Sequence, residues 1–136
     1  MANVNDPDGF TPAYHMSGGT IRPSEFAIAS GTNASIFSGD VVNLSSGLVI
    51  QGTATGTPLG VFAGVEYTAT TGEIVFAKMW TADIATLGSA NAKAYVYVDP
   101  DIVYEAQSTG TPTQASIGTT NTISTTAGET STGRSK

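Results

Sequence analysis

Short apolar stretches recur through the middle of the chain, with polar turn residues between them. Between residues 25 and 107 they recur about every 8–12 residues, separated by Gly, Pro, Asp or Asn. This spacing predicts short β-strands joined by tight turns, which is typical of an all-β sandwich or barrel. The predicted strands cover residues 26–28, 40–44, 48–51, 59–67, 73–80, 94–98 and 102–106.

Some of these stretches carry more specific signals. Ser45-Ser46-Gly47 lies between two strand patterns and predicts a tight hairpin. The stretch 59–67 is apolar with two glycines, which indicates a bent or bulged core strand. Further along, Ile74 and Phe76 share one face of their predicted strand. The only helix candidate, residues 81–87, would be at most about two turns long.

Both ends of the chain differ from the middle. Residues 1–24 contain three prolines and three glycines, so they predict an extended N-terminal arm. In residues 108–136, 15 of 29 residues are Ser or Thr, which predicts an extended tail that needs a partner surface to become ordered. We therefore divide the chain into an arm (1–24), a β-barrel body (25–107) and a Ser/Thr-rich tail (108–136).

The composition excludes several functional classes. The chain has 136 residues with 5 Lys+Arg, 11 Asp+Glu, one His and no Cys, and its net charge is −6. Without cysteine there is no disulfide framework, thiol nucleophile or thiolate metal site, and one histidine cannot build a multi-His site. The few basic residues are scattered, which argues against a nucleic-acid partner. No apolar run is long enough to predict a membrane span.

Each candidate for chemistry has a simpler structural explanation. His15 has no carboxylate partner at a recognisable spacing, so we expect a surface or interface role. The Asp-Pro-Asp of residues 99–101 could offer oxygens to calcium, but turn chemistry explains it adequately. Glu66 and Glu73 flank a turn, and solvent exposure explains them more simply than a glycosidase pair. We predict no enzymatic activity, no catalytic, cofactor-binding or metal-binding residues, and no small-molecule substrate.

Large apolar and aromatic side chains are the candidates for protein contacts. Trp80 ends a predicted strand and is either a core residue or an interface anchor. Tyr95, Tyr97 and Tyr104 would suit sugar binding as an aromatic ladder, but cross-strand packing or subunit contact is the simpler interpretation. In and next to the arm, the candidate anchors for a partner are Phe10, Tyr14, Ile21 and Phe26.

Several segments of the body resemble small head proteins of tailed phages. They are GDVVNL (39–44), LGVFAGV (59–65), GEIVFAKMW (72–80) and AYVYVDP (94–100), together with MANVN (1–5) and TGRS (132–135) near the two ends. The chain resembles the capsid cement or decoration proteins of marine podoviruses and siphoviruses. At a looser level it is similar to the lambda head decoration protein.

This resemblance implies a β-tulip or related β-barrel domain that forms homotrimers on local three-fold axes of the capsid. It implies a structural virion protein on the outer capsid surface, made in the bacterial host cytoplasm, that stabilises contacts between major capsid subunits. The arm would pair with the major capsid protein by strand addition. The expected contacts are Phe10, Tyr14, Ile21 and Phe26 with the capsid, and Trp80, Tyr95 and Tyr97 near the subunit contact.

The alternative interpretation is a carbohydrate- or receptor-binding β-module of a virion fibre. It requires an exposed aromatic platform, for which the candidates are the three tyrosines named above and Trp80. Neither interpretation requires nucleic acid, a membrane or a cofactor.

Overall fold

A computed structural model describes residues 7–123 and 125–136 of the chain. These residues contain short strands and almost no helix. The strands are β1 (Thr11–His15), β2 (Ser24–Ile28), β3 (Ile36–Phe37), β4 (Val41–Ser45), β5 (Leu48–Gln51), β6 (Pro58–Thr68), β7 (Ile74–Ala77), β8 (Met79–Trp80), β9 (Ala92–Tyr97) and β10 (Ile102–Glu105). Two 3-10 turns span Leu87–Ser89 and Gln114–Ser116.

Five of these strands close into a barrel, which confirms the prediction of a small all-β barrel domain. Their order is β4-β5-β2-β9-β6, and β6 closes the ring by pairing with β4. Adjacent strands are antiparallel except for β2 and β5, which run parallel. The hairpin partner of β6 is β7, which lies at the end of the sheet beyond the ring.

The core follows from the alternation of side chains along the strands. In β9, Ala92, Ala94 and Val96 are buried, while Lys93 between them is exposed, as expected for a strand with one face toward a core. Side chains from seven strands form one apolar cluster. Its buried members are Ile28, Ile36, Val42, Val49, Phe62, Val65, Trp80, Ala92, Ala94 and Val96.

The long strand β6 is irregular, as its glycines predicted. Its register against β9 shifts between Phe62 and Gly64, and its register against β4 shifts as well. A Cβ atom at Gly60 would overlap the carbonyl of Tyr97 on β9, so only glycine fits this close approach. The bend lets one strand pair first with β4 and then with β7 along the same edge.

The described part of the arm lies on the body of its own chain. Strand β1 pairs antiparallel with β10, with His15 opposite Ile102. The N–H of Phe10 donates to the carbonyl of Gly39 at 2.9 Å, and the N–H of Met16 donates to that of Asp101 at 2.8 Å. The backbone of residues 11–15 therefore finds its strand partner within the chain, which the sequence analysis did not foresee.

The last residues of the tail also pack on the body. The N–H of Ser38 donates to the carbonyl of Gly133 at 3.1 Å, and the N–H of Ser135 donates back to that of Ser38 at 3.0 Å. Gly133 and Ser135 are buried. The partner surface that the tail requires is thus supplied, for these residues, by the segment around β3.

Two local predictions differ from the structure. Residues 81–87 form no helix, because Asp83 takes a left-handed φ of 59° and interrupts any helical run. The predicted strand 73–80 is divided at Lys78 into β7 and β8, and β8 turns inward to pair with β3. Among the described residues, no helix is both long and apolar enough to cross a membrane.

Candidate interaction surface

An apolar face lies on β7, at the end of the sheet. Ile74 is 64% exposed and Phe76 is 71% exposed, whereas Val75 and Ala77 between and beyond them are half-buried. The alternation therefore turns the two largest side chains of the strand toward solvent. Within residues 7–123 and 125–136, β7 pairs with β6 along one edge and with no strand along the other.

An exposed apolar pair next to an unpaired strand edge is unusual for a protein surface that remains solvent-exposed. Single exposed apolar residues are normal, but adjacent ones on an edge strand also present unpaired backbone groups to a partner. Charged groups stand at both ends of the strand, with Glu73 before it and Lys78 after it, both exposed. Such charges limit unspecific edge-to-edge pairing while leaving the apolar centre free for a matching surface.

The four expected capsid contacts lie in different environments. Tyr14 is 59% exposed on β1 and is available to a partner. By contrast, the ring of Phe10 packs edge-on against Tyr104, with centroids 6.4 Å apart. Phe26 packs against the chain's own core, and Ile21 is half-buried. The structure thus brings Phe10 and Phe26 inward, because β1 and β2 are already paired within the chain.

The expected subunit contact at Trp80 needs correction. Its side chain is 0% exposed and packs edge-on against Tyr67, with ring centroids 5.7 Å apart. Trp80 is a core residue rather than an interface anchor, because β8 turns inward to pair with β3. A side chain enclosed in this way presents no surface to a second copy.

Tyr95 and Tyr97 lie side by side on the outward face of β9 and are half-buried. The hydroxyl of Tyr95 donates to Glu66 Oε2 at 2.8 Å, and this bond to a carboxylate raises the pKa of the phenol. The hydroxyl of Tyr104 points to the carbonyl of Tyr97 at 3.5 Å. The hydroxyls of Tyr95 and Tyr104 are engaged within the chain and all three side chains are half-buried, so the three tyrosines do not form the exposed platform that sugar binding requires.

A cavity of about 250 Å³ lies where the arm, the tail and the body meet. Arg134 Nε and Asp8 Oδ1 pair across it at 3.3 Å, and Lys78 adds a second positive charge to its wall. Phe10 and Tyr97 supply apolar lining. Because the ion pair joins tail to arm, the cavity is best explained as the seam between these segments.

A cluster around His15 is the main feature that the sequence analysis missed. Nε2 of His15 lies 3.0 Å from Asp99 Oδ2, and Nδ1 lies 2.8 Å from Ser17 Oγ and 3.2 Å from the N–H of Ser17. The N–H of Asp101 donates to Asp99 Oδ1 at 2.9 Å. This bond, followed by the one from His15, lowers the pKa of Asp99. The carboxylate lies 84 residues from the histidine, and only the pairing of β1 with β10 reveals it.

Asp99, His15 and Ser17 lie at the distances found for an orienting carboxylate, a base and a nucleophile, in that order. Hydrolysis also requires an enclosed substrate site and donors for an oxyanion. Here Ser17 and the two glycines after it are exposed in a turn, and a Cβ at Gly18 would meet no atom within 4 Å. The cluster is therefore better suited to an ion pair or to binding a cation than to acyl transfer.

Comparisons with known proteins give no relative to set beside this geometry. No model of a protein family matches the chain, and neither the curated proteins nor the solved structures include a significant match.

Proposed function

We propose that the chain is a structural virion protein, a capsid cement or decoration protein. In this proposal it binds the outside of a phage head as a homotrimer and stabilises contacts between major capsid subunits. The resemblance of its strand motifs to small phage head proteins supplies the class. The observation that carries the proposal is the exposed apolar face of β7, with Ile74 and Phe76 next to an unpaired strand edge.

The energetics of this face fit a protein contact. Burying a large apolar side chain contributes about 1.5–3 kcal/mol, so Ile74 and Phe76 together favour association appreciably. Several such contacts on one oligomer bind with avidity, even when each is weak. A protein that binds the assembled shell in preference to its separate subunits stabilises that shell by mass action.

The charge distribution points to a protein partner. The chain carries only 5 Lys+Arg, and Arg134 and Lys136 are engaged by Asp8 and Glu129 near the tail. Few cations remain to neutralise phosphates, as a nucleic-acid partner would require. Polar hydroxyl groups and apolar side chains dominate the surface instead, which favours backbone pairing and apolar packing.

The contact residues follow from exposure. Phe76 and Ile74 on β7, with Tyr14 on β1, are the side chains that reach a capsid subunit in this proposal. Phe10 holds the arm on the body through Tyr104, and Phe26 packs against the core, so neither contacts the capsid in this proposal. Strand addition then takes place at the free edge of β7, since β1 already has a partner.

The test measures occupancy of the protein on phage heads assembled without it. The purified chain is incubated with such heads and the bound fraction is measured after sedimentation. Phe76→Lys places a charge in the contact and is expected to lower the affinity at least about tenfold. The matched control is Ile117→Lys, because Ile117 is 72% exposed and lies in the tail, and its binding stays unchanged.

Both variants replace exposed side chains, so the free energy of unfolding is expected to change by no more than about 0.5 kcal/mol. Saturable binding of the unchanged chain, lost in Phe76→Lys alone, supports the proposal. Equal binding of all three proteins removes β7 from the contact. Absence of binding by the unchanged chain rejects the cement function.

A further inference from the structure

The cluster around His15 joins two segments that are far apart in sequence. His15 ends β1, and Asp99 and Asp101 lie in the turn between β9 and β10. One potential ligand atom from each residue lies within 4.8 Å of the other two. The imidazole side chain is only 10% exposed and directs Nε2 at Asp99 Oδ2. The imidazole thus has a fixed direction toward one carboxylate, and the second carboxylate lies nearby.

The backbone fixes these groups before any ligand binds. The N–H of Met16 donates to the carbonyl of Asp101, and the N–H of Asp101 donates to the carboxylate of Asp99. The pairing of His15 with Ile102 sets the distance between strand and turn. A site preorganised in this way loses little freedom when it binds a ligand.

We propose that His15, Asp99 and Asp101 bind a divalent cation of the Zn²⁺ class and so fasten β1 to the turn between β9 and β10. The proposal is independent of the function proposed above, because it concerns the chain alone.

The geometry fits such a cation closely. Zn²⁺ binds His nitrogen and carboxylate oxygen at about 2.0–2.2 Å, which places adjacent ligand atoms about 3.3 Å apart in a tetrahedron. His15 Nε2 and Asp99 Oδ2 are 3.0 Å apart, close to this separation, and an ion bound to both lies beside the line that joins them, so the imidazole turns slightly to face it. Three protein ligands leave one position for water.

The neighbour of the imidazole also suits the role. When Nε2 binds a cation, the ring proton lies on Nδ1 and needs an acceptor. Ser17 Oγ lies 2.8 Å from Nδ1 and accepts that proton. The N–H of Ser17 donates to Nδ1 at 3.2 Å in the structure, so cation binding exchanges this bond for the one from the Nδ1 proton to Ser17 Oγ. Two carboxylates and one nitrogen favour a borderline ion over calcium, which prefers six or more oxygens.

The composition limits the side chains that can bind Zn²⁺ through nitrogen or sulfur, which simplifies the test. His15 is the only histidine and the chain has no cysteine, so any metal site with an imidazole ligand contains His15. The untagged chain is stripped with a chelator and titrated with ZnCl₂ by calorimetry, and with CaCl₂ in a parallel experiment. We expect one Zn²⁺ per chain and an affinity for Ca²⁺ at least tenfold weaker.

The NMR signals of the single imidazole report the ligand directly. One equivalent of Zn²⁺ is expected to shift them. Because this readout uses the unchanged chain, it does not depend on whether a variant folds. Unshifted imidazole signals at saturation would overturn the proposal.

Substitutions give the second readout. His15→Gln and Asp101→Asn are each expected to weaken Zn²⁺ binding at least tenfold, while Asp101→Asn keeps the backbone bonds of the turn. Glu105→Gln is the matched control for Asp101→Asn, because both substitutions remove one negative charge. Glu105 is exposed at the opposite end of the same strand pair. Equal affinities for all four proteins, or tighter binding of Ca²⁺ than of Zn²⁺, would reject the site.

Discussion

Asp40 is a carboxylic acid buried beside the place where the tail meets the body. It is 8% exposed, and its Oδ2 accepts a hydrogen bond from the N–H of Phe37 at 2.9 Å. Burial raises the pKa of this carboxyl above its ordinary 3.8, although hydrogen bonds from Ser135 and Phe37 act in the opposite direction. The protein therefore carries a group whose ionised form is less favourable when folded.

The sign of the pH dependence follows from linkage. The folded state binds the Asp40 proton more tightly than the unfolded state does. The stability that the protonated carboxyl contributes is therefore fully present below pH 3.8 and is lost as pH rises through the raised pKa. Asp40→Asn removes this titration while its side-chain oxygen still accepts from Phe37. The free energy of unfolding of the unchanged chain, relative to Asp40→Asn, should fall as the pH rises from below 3.8 through the raised pKa. Urea denaturation at several pH values measures it, and parallel curves would contradict the raised pKa.

Residue-level contacts were the hardest part to predict from the sequence. Alternation along β7 predicted that Ile74 and Phe76 share one face; the structure confirms this and shows in addition that the face is exposed. The pattern left Trp80 undecided, because burial at a strand end depends on what lies opposite, here β3. The link between His15 and Asp99 could not be seen at all, since it depends on which strands pair.

Except for β1, the described strands of four or more residues were predicted from their apolar patterns and turn residues. The hairpin of β4 and β5 has positive φ at Ser46 and Gly47, as its turn sequence required. Strand β1 was missed because prolines and glycines surround it and its partner β10 is distant in sequence. The two-residue strand β3 was missed because so short a segment has no periodicity.

The contact between tail and body depends on a glycine at a close approach. A Cβ at Gly128 would overlap the ring of Phe37 and the carbonyl of Arg134, whereas a Cβ at Gly110 would meet no atom within 4 Å. Gly128→Ala is therefore expected to loosen the end of the tail and to lower stability by about 1–3 kcal/mol, as overpacking does. Gly110→Ala, made in the same tail, serves as the control and should be nearly neutral.

Thermal denaturation and amide hydrogen exchange distinguish the two variants. The N–H groups of Ser38 and Ser135 hold the tail in place, so they should exchange faster in Gly128→Ala only. Unchanged protection at both amides would show that Phe37 can move aside without releasing the tail.

On the scale of the whole molecule, the barrel is expected to unfold as one unit. Trp80 is the only tryptophan, and its fully buried ring belongs to a core cluster that draws on seven strands. Its fluorescence should therefore change at the same urea concentration as the far-ultraviolet circular dichroism of the strands. Two separate midpoints would show that the segment of β3 and β8 opens before the barrel.

The free edge of β7 has a consequence for symmetry. If this edge pairs with the same edge of a second copy, the contact is isologous, and a two-fold axis closes it as a dimer. A three-fold assembly built through β7 requires instead that this edge meets a different patch on the next copy, in a heterologous contact that closes after three steps. If Phe76→Lys lowers the mass of the protein in solution, as a multiple of the 13.8 kDa chain, β7 joins the copies to each other; if the mass is unchanged, β7 is left free for the shell.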